Sequence, residues 1–339
     1  MRICFVTTTP VTSIGGVENV AFNIMEQAKK AGHEAENVFA YESYKNPLAS
    51  LHAYKGVEKK IKKGNFDIVH SHDNAAYYFA KNNITDKIPI IHTSHGTWGN
   101  YFSVMHGVKK KLFSKNSIKL EKLIVQNADI NTSVSDYVQK SILEQYGMKS
   151  HTIHNGVDIE KFNTHGKINN KVPTAAWIGT NTKLKGLDIA IEAVKMLNLK
   201  LIVVGVTGKN DKEIIYLGKL PPNQMPIIYK KADFLLFPSK YESHPIAPLE
   251  ALSSGLPVIV SEQSNVEIIK NGIEGFIVKA NRSASGSDIF DSEDYADCIQ
   301  LMLKKYGKMS AAARKLAIQF SWKKQAKKYF RLYEKLYDA

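Results

Sequence analysis

Two carboxylates, Glu242 and Glu250, lie in a segment that the sequence places at the edge of a sheet. The apolar run 233–238 before them is typical of a buried strand, and the run 256–260 after them is typical of the next strand. Open parallel sheets bind ligands beyond the carboxyl ends of their strands. Both carboxylates are therefore expected at a ligand-binding edge, and a solvated helix face is the alternative.

The connection between these two strands is predicted to change from loop to helix. Pro245 and Pro248 fit only the start or the first turn of a helix, because proline lacks the backbone N–H that later turns require. Gly255 fits the end of the same helix. Glu242 is thus expected close to a helix N-terminus, with Glu250 about two turns further along the chain.

The segment resembles the motif of retaining glycosyltransferases of the two-Rossmann-domain type, family 4, in which seven residues separate two glutamates. The resemblance implies that Glu242 contacts the donor sugar and that Glu250 holds the ribose of a nucleoside-diphosphate donor. The expected reaction is transfer of a sugar to a hydroxyl acceptor, with retention of configuration at the anomeric carbon. Further donor contacts are expected from Ser243, His244, Pro245 and Ile246.

A departing nucleoside diphosphate carries negative charge, which a metal ion, cationic side chains or helix N-termini can stabilise. No pair of the metal-binding Asp-x-Asp type occurs, so no metal cofactor is expected. The loop 179–188 resembles the family's Gly-Arg…Lys-Gly element, in which the lysine contacts the pyrophosphate. Lys185 matches that lysine, whereas Thr180 stands where the family usually has arginine. Lys183 is the candidate for supplying the missing charge.

The first half of the chain resembles the same family more weakly. Gly15 and Gly16 lie between the first strand and the first helix, and they resemble the family's Gly-Gly-x-Glu loop, which lies against phosphate and acceptor. His95 follows the fourth strand and resembles a histidine that contacts the donor sugar beside the reacting carbon. His72, in the element 67–73, is expected to contact the acceptor and not to act as a catalyst.

Other functions are weighed against sugar transfer. The histidines lie on separate loops and fit no compact zinc pattern, and no Gly-x-Ser-x-Gly motif indicates a hydrolytic triad. A nucleotide-sugar epimerase or phosphorylase on the same fold, and a non-catalytic nucleotide-sugar-binding protein, stay open as alternatives. The donor base, the sugar and the acceptor are not determined by the sequence, although a glycan or a lipid-linked glycan is the expected acceptor.

Strand-like and helix-like segments alternate in two series, which predicts an α/β protein with doubly wound parallel sheets. We predict one Rossmann-like domain over residues 1–160 and a second, nucleotide-sugar-binding domain over 161–320. The resemblance implies the GT-B architecture, with two domains facing each other across a cleft and a last helix, 321–339, packing on the first domain. The polar stretch 155–171 is interpreted as the interdomain linker, and a helix is predicted near 265–270.

Length and composition limit the class of protein. A chain of 339 residues with 44% hydrophobic content can form two full cores, and no apolar run approaches the roughly 18 residues that a membrane helix needs. Cys4 and Cys298 are far apart in sequence, and the first residues lack a signal-peptide pattern. A cytoplasmic location is therefore expected.

The formal net charge of +14 suggests an anionic partner. No helix-turn-helix, zinc finger or aromatic-basic motif indicates nucleic acid as that partner. Lysines are concentrated in a predicted helix over 107–124 and in the tail 304–331. The helix fits peripheral attachment to an anionic membrane surface as well as it fits a solvated face, whereas a solvated face is expected for the tail.

Overall fold

The computed structural model describes residues 1–13, 15–40, 47–83, 87–103, 109–282 and 288–338, and these form two compact units. The first unit comprises Met1–Asn155 together with Trp322–Ala339, and the second comprises Gly156–Ser321. The chain therefore leaves the first unit once and returns to it for its last helix. The division falls at 155–156, whereas the sequence predicts 160–161.

The first unit alternates strands and helices along the chain. Its elements are β1 (Arg2–Thr7), α1 (Gly16–Lys30), β2 (Glu34–Phe39), α2 (Pro47–Lys63), β3 (Ile68–His72), α3 (Tyr77–Asn82), β4 (Ile90–Ser94), α4 (Trp98–Ser103), α5 (Lys109–Asn127), β5 (Ile130–Ser133), α6 (Asp136–Tyr146) and β6 (His151–Thr152). The six strands form one parallel sheet in the order β2-β1-β3-β4-β5-β6.

Strand β1 lies between β2 and β3, with Ile3 opposite Ala35 on one side and Ile68 on the other. The chain thus leaves β1 towards one edge of the sheet and later continues towards the other. The carboxyl ends of β1 and β3 form the switch point, which is where open α/β sheets bind their ligands.

The last helix of the chain covers one face of the first sheet. It is α12 (Trp322–Tyr337), and its buried residues include Ala326, Tyr329 and Tyr333, which recur at helical spacing. The phenol of Tyr333 lies 2.6 Å from Nδ1 of His70 on β3, and both side chains are fully buried. The two buried polar groups thus satisfy each other with a hydrogen bond between α12 and β3.

The second unit repeats the alternation. Its elements are β7 (Thr174–Ile178), α7 (Leu187–Met196), β8 (Lys200–Val204), β9 (Ile214–Tyr216), α8 (Met225–Lys231), β10 (Phe234–Phe237), α9 (Ile246–Ser253), β11 (Val258–Ser261), β12 (Gly275–Val278), the short strands β13 (Asn281–Arg282) and β14 (Asp288–Ile289), α10 (Ser292–Lys304) and α11 (Tyr306–Ala317). Strands β7 to β12 form a parallel sheet in the order β12-β11-β10-β7-β8-β9.

The second sheet is buried on both faces. Along β8, Leu201 and Val203 pack into one hydrophobic core, while Ile202 and Val204 pack into the other. This is the alternation that a central parallel strand between two layers of helices requires. The doubly wound parallel-sheet class predicted for both halves of the chain is confirmed.

The stretch 155–171 contains the division between the two units, but most of it is part of the second unit and not a separate linker. Val157 and Phe162 are 1% and 4% exposed and belong to a core of the second unit. The guanidinium of Arg314 donates hydrogen bonds to the carbonyl oxygens of Ile159 and Phe162. The few apolar residues of this stretch are spread among polar ones, so its composition resembles that of a loop although its backbone is fixed.

The helix predicted near 265–270 is absent. A single 3-10 turn, Glu262–Ser264, follows β11, and Asn265 then adopts the left-handed conformation with φ 49°. Val266 and Ile269 are both buried, and their spacing of three imitates the apolar period of a helix. The left-handed residue ends the turn before a helix can form.

Candidate functional site

Lys185 and Glu242 form an ion pair in the second unit. The ammonium of Lys185 contacts Oε1 of Glu242, and the two side chains are only 22% and 14% exposed. The hydroxyl of Ser239 lies 3.0 Å from the same carboxylate oxygen. The Lys185 ammonium also lies 5.6 Å from the centre of the Phe237 ring. Because little water surrounds the pair, salt screens it less than it screens a surface ion pair.

The loop that carries Lys185 follows β7 and packs closely against the end of β10. The indole Nε1 of Trp177 donates a hydrogen bond of 2.9 Å to the carbonyl oxygen of Lys185. Gly186 is left-handed, with φ +62°, and a Cβ at this position would collide with the carbonyl oxygen of Pro238. Only glycine meets both conditions without strain, so Gly186 lets this loop approach the strand that precedes Glu242.

The backbone of Glu242 is held by the segment after β11. The side-chain amide of Asn265 donates a hydrogen bond of 2.6 Å to the carbonyl oxygen of Glu242. The backbone N–H of Glu242 donates to the carbonyl oxygen of Gln263, at 3.3 Å. The 3-10 turn that replaces the predicted helix therefore supports one of the two candidate glutamates.

Glu250 lies on α9 and is bonded to a buried tyrosine. The hydroxyl of Tyr229 donates to Oε2 of Glu250 at 2.8 Å, and Tyr229 itself is fully buried. Burial raises the pKa of the Glu250 carboxyl to about 7, although the hydrogen bond from Tyr229 and the charge of Lys161 both lower it. Glu250 is thus a carboxyl group that changes charge near neutral pH.

The remaining candidates of the second unit occupy two different environments. Pro245 precedes the first residue of α9, Ile246, and adopts an extended backbone with φ −70° and ψ 141°. His244 is buried, whereas Ser243 is half-buried. Two candidates are exposed on the loop before α7, namely Thr180 and Lys183. The structure therefore brings Lys185 and Glu242 into contact and leaves Lys183 on the surface.

In the first unit, His72 and His95 are neighbours. Nδ1 of His72 lies 2.9 Å from Nε2 of His95, so one nitrogen donates to the other. Burial and the nearby charges of His70 and His95 hold the pKa of His72 well below its ordinary value. Burial also lowers the pKa of His95 to about 4. Both rings are therefore neutral near pH 7 and can bind a ligand through hydrogen bonds, not through charge.

Gly15, which directly precedes α1, makes room for a carboxylate of that helix. Gly15 caps α1 with an extended backbone, φ −158°, and α1 begins at Gly16. A Cβ on Gly15 would overlap the carboxylate of Glu18, whereas a Cβ on Gly16 would meet open space. The hydroxyl of Thr9 donates to Oε1 of Glu18. Glu18 is thereby held near the helix N-terminus, a favourable place for a negative charge.

Sequence analysis missed three side chains that contact or adjoin the candidates: Ser239, Tyr229 and Asp73. Ser239 and Asp73 come shortly after buried strands, and a polar residue at the carboxyl end of a strand is a signal that a search for such positions would find. Tyr229 carries no such signal, because its hydroxyl meets Glu250 only through the tertiary structure.

Within the described parts of the chain, no group of three or more histidine, cysteine, aspartate or glutamate side chains is arranged to hold a metal ion. No helix among the same residues combines the length and the apolar character that crossing a bilayer requires.

Comparison with protein families gives two matches that together extend over most of the chain. The model of glycosyltransferase family 4 matches residues 14–161. The model of glycosyl transferases group 1 matches residues 158–315. The junction between the two matches lies close to the division between the two units.

Individual proteins are similar along most of their length. The chain is 24% identical to an uncharacterized glycosyltransferase of Methanocaldococcus jannaschii, over 95% of this chain and 92% of that protein. It is 23% identical to the D-inositol 3-phosphate glycosyltransferase of Corynebacterium jeikeium, over 81% of this chain and 73% of that protein.

Solved structures show the same fold. Sucrose-phosphate synthase from Thermosynechococcus elongatus superposes with a TM-score of 0.83 at 15% identity, over 99% of both chains. Anabaena HepE in complex with UDP-glucose superposes with a TM-score of 0.74 at 15% identity, over 99% of this chain and 100% of that chain.

Proposed function

We propose that this chain, which belongs to the glycosyl transferases of group 1, family 4, transfers a sugar from a nucleoside diphosphate to a hydroxyl acceptor with retention of configuration. The family and the GT-B fold identify it as a glycosyltransferase. The observation that carries the donor assignment is the Lys185–Glu242 ion pair beside the start of α9. The structure of HepE in complex with UDP-glucose supports a nucleotide sugar as the donor.

Lys185 is assigned to the leaving group. As the bond between the anomeric carbon and the pyrophosphate oxygen breaks, negative charge grows on the phosphate, and the half-buried ammonium stabilises that charge. The backbone N–H groups at the start of α9, near His244 and Ile246, add partial positive charge without a metal ion. We therefore propose a metal-independent reaction that needs no cofactor.

Glu242 and Glu250 are assigned to the donor. Glu242 accepts hydrogen bonds from hydroxyls of the donor sugar, and Glu250 accepts them from the ribose. Thr180 and Lys183, on the loop before α7, and the residues 243–246 complete the proposed donor contacts, with Gly15 and Gly16 in the first unit. His95 is assigned to the sugar beside the anomeric carbon, and His72 to the acceptor.

Retention is proposed to follow same-face attack. The acceptor oxygen forms a bond to the anomeric carbon on the side from which the diphosphate leaves, and the acceptor proton passes to a phosphate oxygen of the leaving group. The lowered pKa values of His72 and His95 make both imidazoles weak bases. This suits a scheme in which a phosphate oxygen of the leaving group, and not a protein base, takes the proton.

The anomeric configuration of the product tests this proposal. A panel of nucleotide sugars is screened for the donor that most raises the melting temperature, and that donor is then used with sugar acceptors. NMR of the product is expected to show the configuration of the donor. An inverted product would overturn the mechanism. Turnover of the donor sugar without an acceptor, or dependence on inorganic phosphate, would favour an epimerase or a phosphorylase.

We also propose a cytoplasmic enzyme that attaches peripherally to an anionic membrane surface and accepts a glycan or lipid-linked glycan. Helix α5 supports this, because Lys115, Lys119 and Lys122 are exposed along one of its faces while Ile124 is buried. Residues 107–108 of the predicted basic segment lie outside the described residues, as do the side chains of 109–114. Cys4 and Cys298 are both free, and a reducing compartment is part of this proposal.

A further inference from the structure

Asp73 joins the carboxyl ends of β1 and β3, at the switch point of the first sheet. Its Oδ1 accepts a hydrogen bond of 2.6 Å from the hydroxyl of Thr8 and one of 3.0 Å from the backbone N–H of Ala75. Its Oδ2 accepts from the backbone N–H of Thr8 at 3.2 Å. These bonds fix the carboxylate at the edge where an open α/β sheet binds its ligand.

The backbone of Asp73 is left-handed, with φ 56°, a conformation that is uncommon for residues other than glycine. Linking the two strands does not require this conformation. At the opposite end of the same strand pair, the carboxylate of Asp67 accepts a hydrogen bond of 2.6 Å from the backbone N–H of Arg2, and Asp67 has a negative φ. The left-handed geometry is therefore specific to the carboxyl end of β3, and such outliers cluster at functional sites.

A second carboxylate lies close to Asp73. Glu18, in the first turn of α1, is held by the hydroxyl of Thr9, and its charge acts on Asp73. Burial and this charge raise the pKa of the Asp73 carboxyl to about 7, and no cation among the described residues offsets them. The edge between β1, α1 and β3 thus carries two oxygen-rich acceptor groups, and the described residues supply no positive charge that balances them.

An independent observation points to a ligand at the same edge. His72 precedes Asp73 directly and is fully buried, and its Nε2 has no hydrogen-bond partner among the described residues. Buried polar nitrogens of folded proteins are normally paired with protein, water or ligand. Nδ1 of His72 is already occupied by His95, so Nε2 is the atom left for a ligand group.

We infer that Asp73, Glu18 and His72 form the acceptor subsite, and that it binds an uncharged polyhydroxyl group such as a sugar or polyol ring without a phosphate. This inference rests on the proposed transfer reaction. Carboxylates accept hydrogen bonds from hydroxyl groups, and Nε2 of His72 adds one more polar contact. A phosphate at this position would be repelled by the carboxylate of Glu18 and by Asp73 whenever Asp73 is ionised.

The experiment compares Asp73→Asn with Asp67→Asn, a matched variant that alters the other carboxylate joining β3 to β1. Each protein is assayed with the donor that most raises its melting temperature and with glucose, mannose and myo-inositol, each beside its monophosphate. We expect wild type and Asp67→Asn to prefer the neutral acceptors. We expect Asp73→Asn to lose about 100-fold in kcat/KM for them, because a transition-state hydrogen bond to a charged group is removed, while the donor-induced thermal shift is retained.

Equal losses in Asp67→Asn and Asp73→Asn would show that Asp73 only braces the sheet, and would overturn the inference. A wild-type preference for the phosphorylated acceptors would overturn the substrate class. If wild type shows neither stabilisation by a donor nor transfer, the proposed function is overturned, and the subsite with it. Thermal unfolding of Glu18→Gln and Asp73→Asn separates a folding defect from loss of acceptor binding.

Discussion

Lys185, in the loop after β7, and Glu242, in the loop after β10, neutralise each other through an ion pair that the hydroxyl of Ser239 also contacts. The pair joins the group assigned to the leaving diphosphate and the group assigned to the donor sugar. Binding of a donor must redistribute these contacts, because one ammonium then faces both the carboxylate and the phosphate.

Removing one member of the pair affects folding and catalysis differently. Glu242→Gln and Lys185→Met each leave a largely buried charge unpaired, so each is expected to lower stability by about 1–3 kcal/mol. The double variant is expected to regain most of that stability, because no unpaired charge remains. Transfer activity is expected to fall by about 100-fold or more in all three proteins. Thermal unfolding measures the stability and a transfer assay measures the activity of each variant. A double variant that regains activity would exclude these residues from the mechanism.

Donor affinity is expected to rise as the pH increases through about 7. In the protein without donor, burial raises the pKa of the Glu250 carboxyl to about 7. Ribose hydroxyls donate hydrogen bonds more strongly to its ionised form. Tyr229→Phe removes a hydrogen bond that lowers this pKa, so the rise should move to higher pH. Glu250→Gln should abolish the rise of donor affinity with pH. Calorimetric titration of the donor between pH 6 and pH 8 measures the effect, and an unchanged profile in Glu250→Gln would contradict it.

The same shift has a consequence for folding. A raised carboxyl pKa stabilises the folded protein fully below the ordinary value of 4.5, and this contribution is lost as the pH rises through about 7. The buried histidines act in the opposite direction, since their lowered pKa values favour folding at higher pH. The difference in unfolding free energy between wild type and Glu250→Gln, measured across this range, isolates the glutamate.

Gly186→Ala is expected to destabilise the second unit by at least about 1–2 kcal/mol. Alanine disfavours the left-handed backbone, and its Cβ would collide with the carbonyl oxygen of Pro238. Gly307→Ala is the matched control, because Gly307 lies exposed in α11 with open space around its Cα. That variant should gain about 0.5–1 kcal/mol. Chemical denaturation measures both values, and equal signs would contradict the role assigned to Gly186.

Helix α5 is expected to bind anionic vesicles through its exposed lysines. Replacing Lys115, Lys119 and Lys122 by glutamate should weaken co-sedimentation by about 100-fold or more at low salt, since each lysine contributes about 1 kcal/mol near an anionic surface. High salt should weaken wild-type binding in the same way. In the control variant, Lys323, Lys324 and Lys327, which are exposed on α12, are replaced by glutamate in the same way. This variant should bind the vesicles as wild type does. Binding that ignores both salt and the α5 substitutions would exclude this surface.

Much of the fold follows from local sequence pattern. The apolar runs of β7, β8, β10 and β11 are short and bounded by polar or glycine-containing turns, which predicts buried parallel strands. Glu242 and Lys185 were identified because they match residues of the family motifs in segments that follow such strands, at the edge where ligands bind. Their direct contact could not be predicted, since it depends on how closely Gly186 approaches Pro238.

Other features depend on contacts between distant parts of the chain. Phe162 looks like part of a polar loop in sequence, yet it is buried against Tyr229, with ring centres 5.6 Å apart. Asp73 and Thr8 are brought together only by the pairing of β1 with β3. In both cases the sequence shows ordinary residues, and their role comes from the partner that the fold supplies.

The return of the chain to its starting unit determines how this protein can be divided. A fragment that ends at Asn155 lacks α12, so His70 on β3 would lose the rings of Tyr329 and Tyr333 that bury it, and such a fragment should aggregate. Joining residues 322–338 directly behind residue 155 restores that cover. Conversely, residues 156–321 begin and end within one compact unit. This segment is the one that we expect to fold when it is expressed alone or replaced by the equivalent unit of a relative.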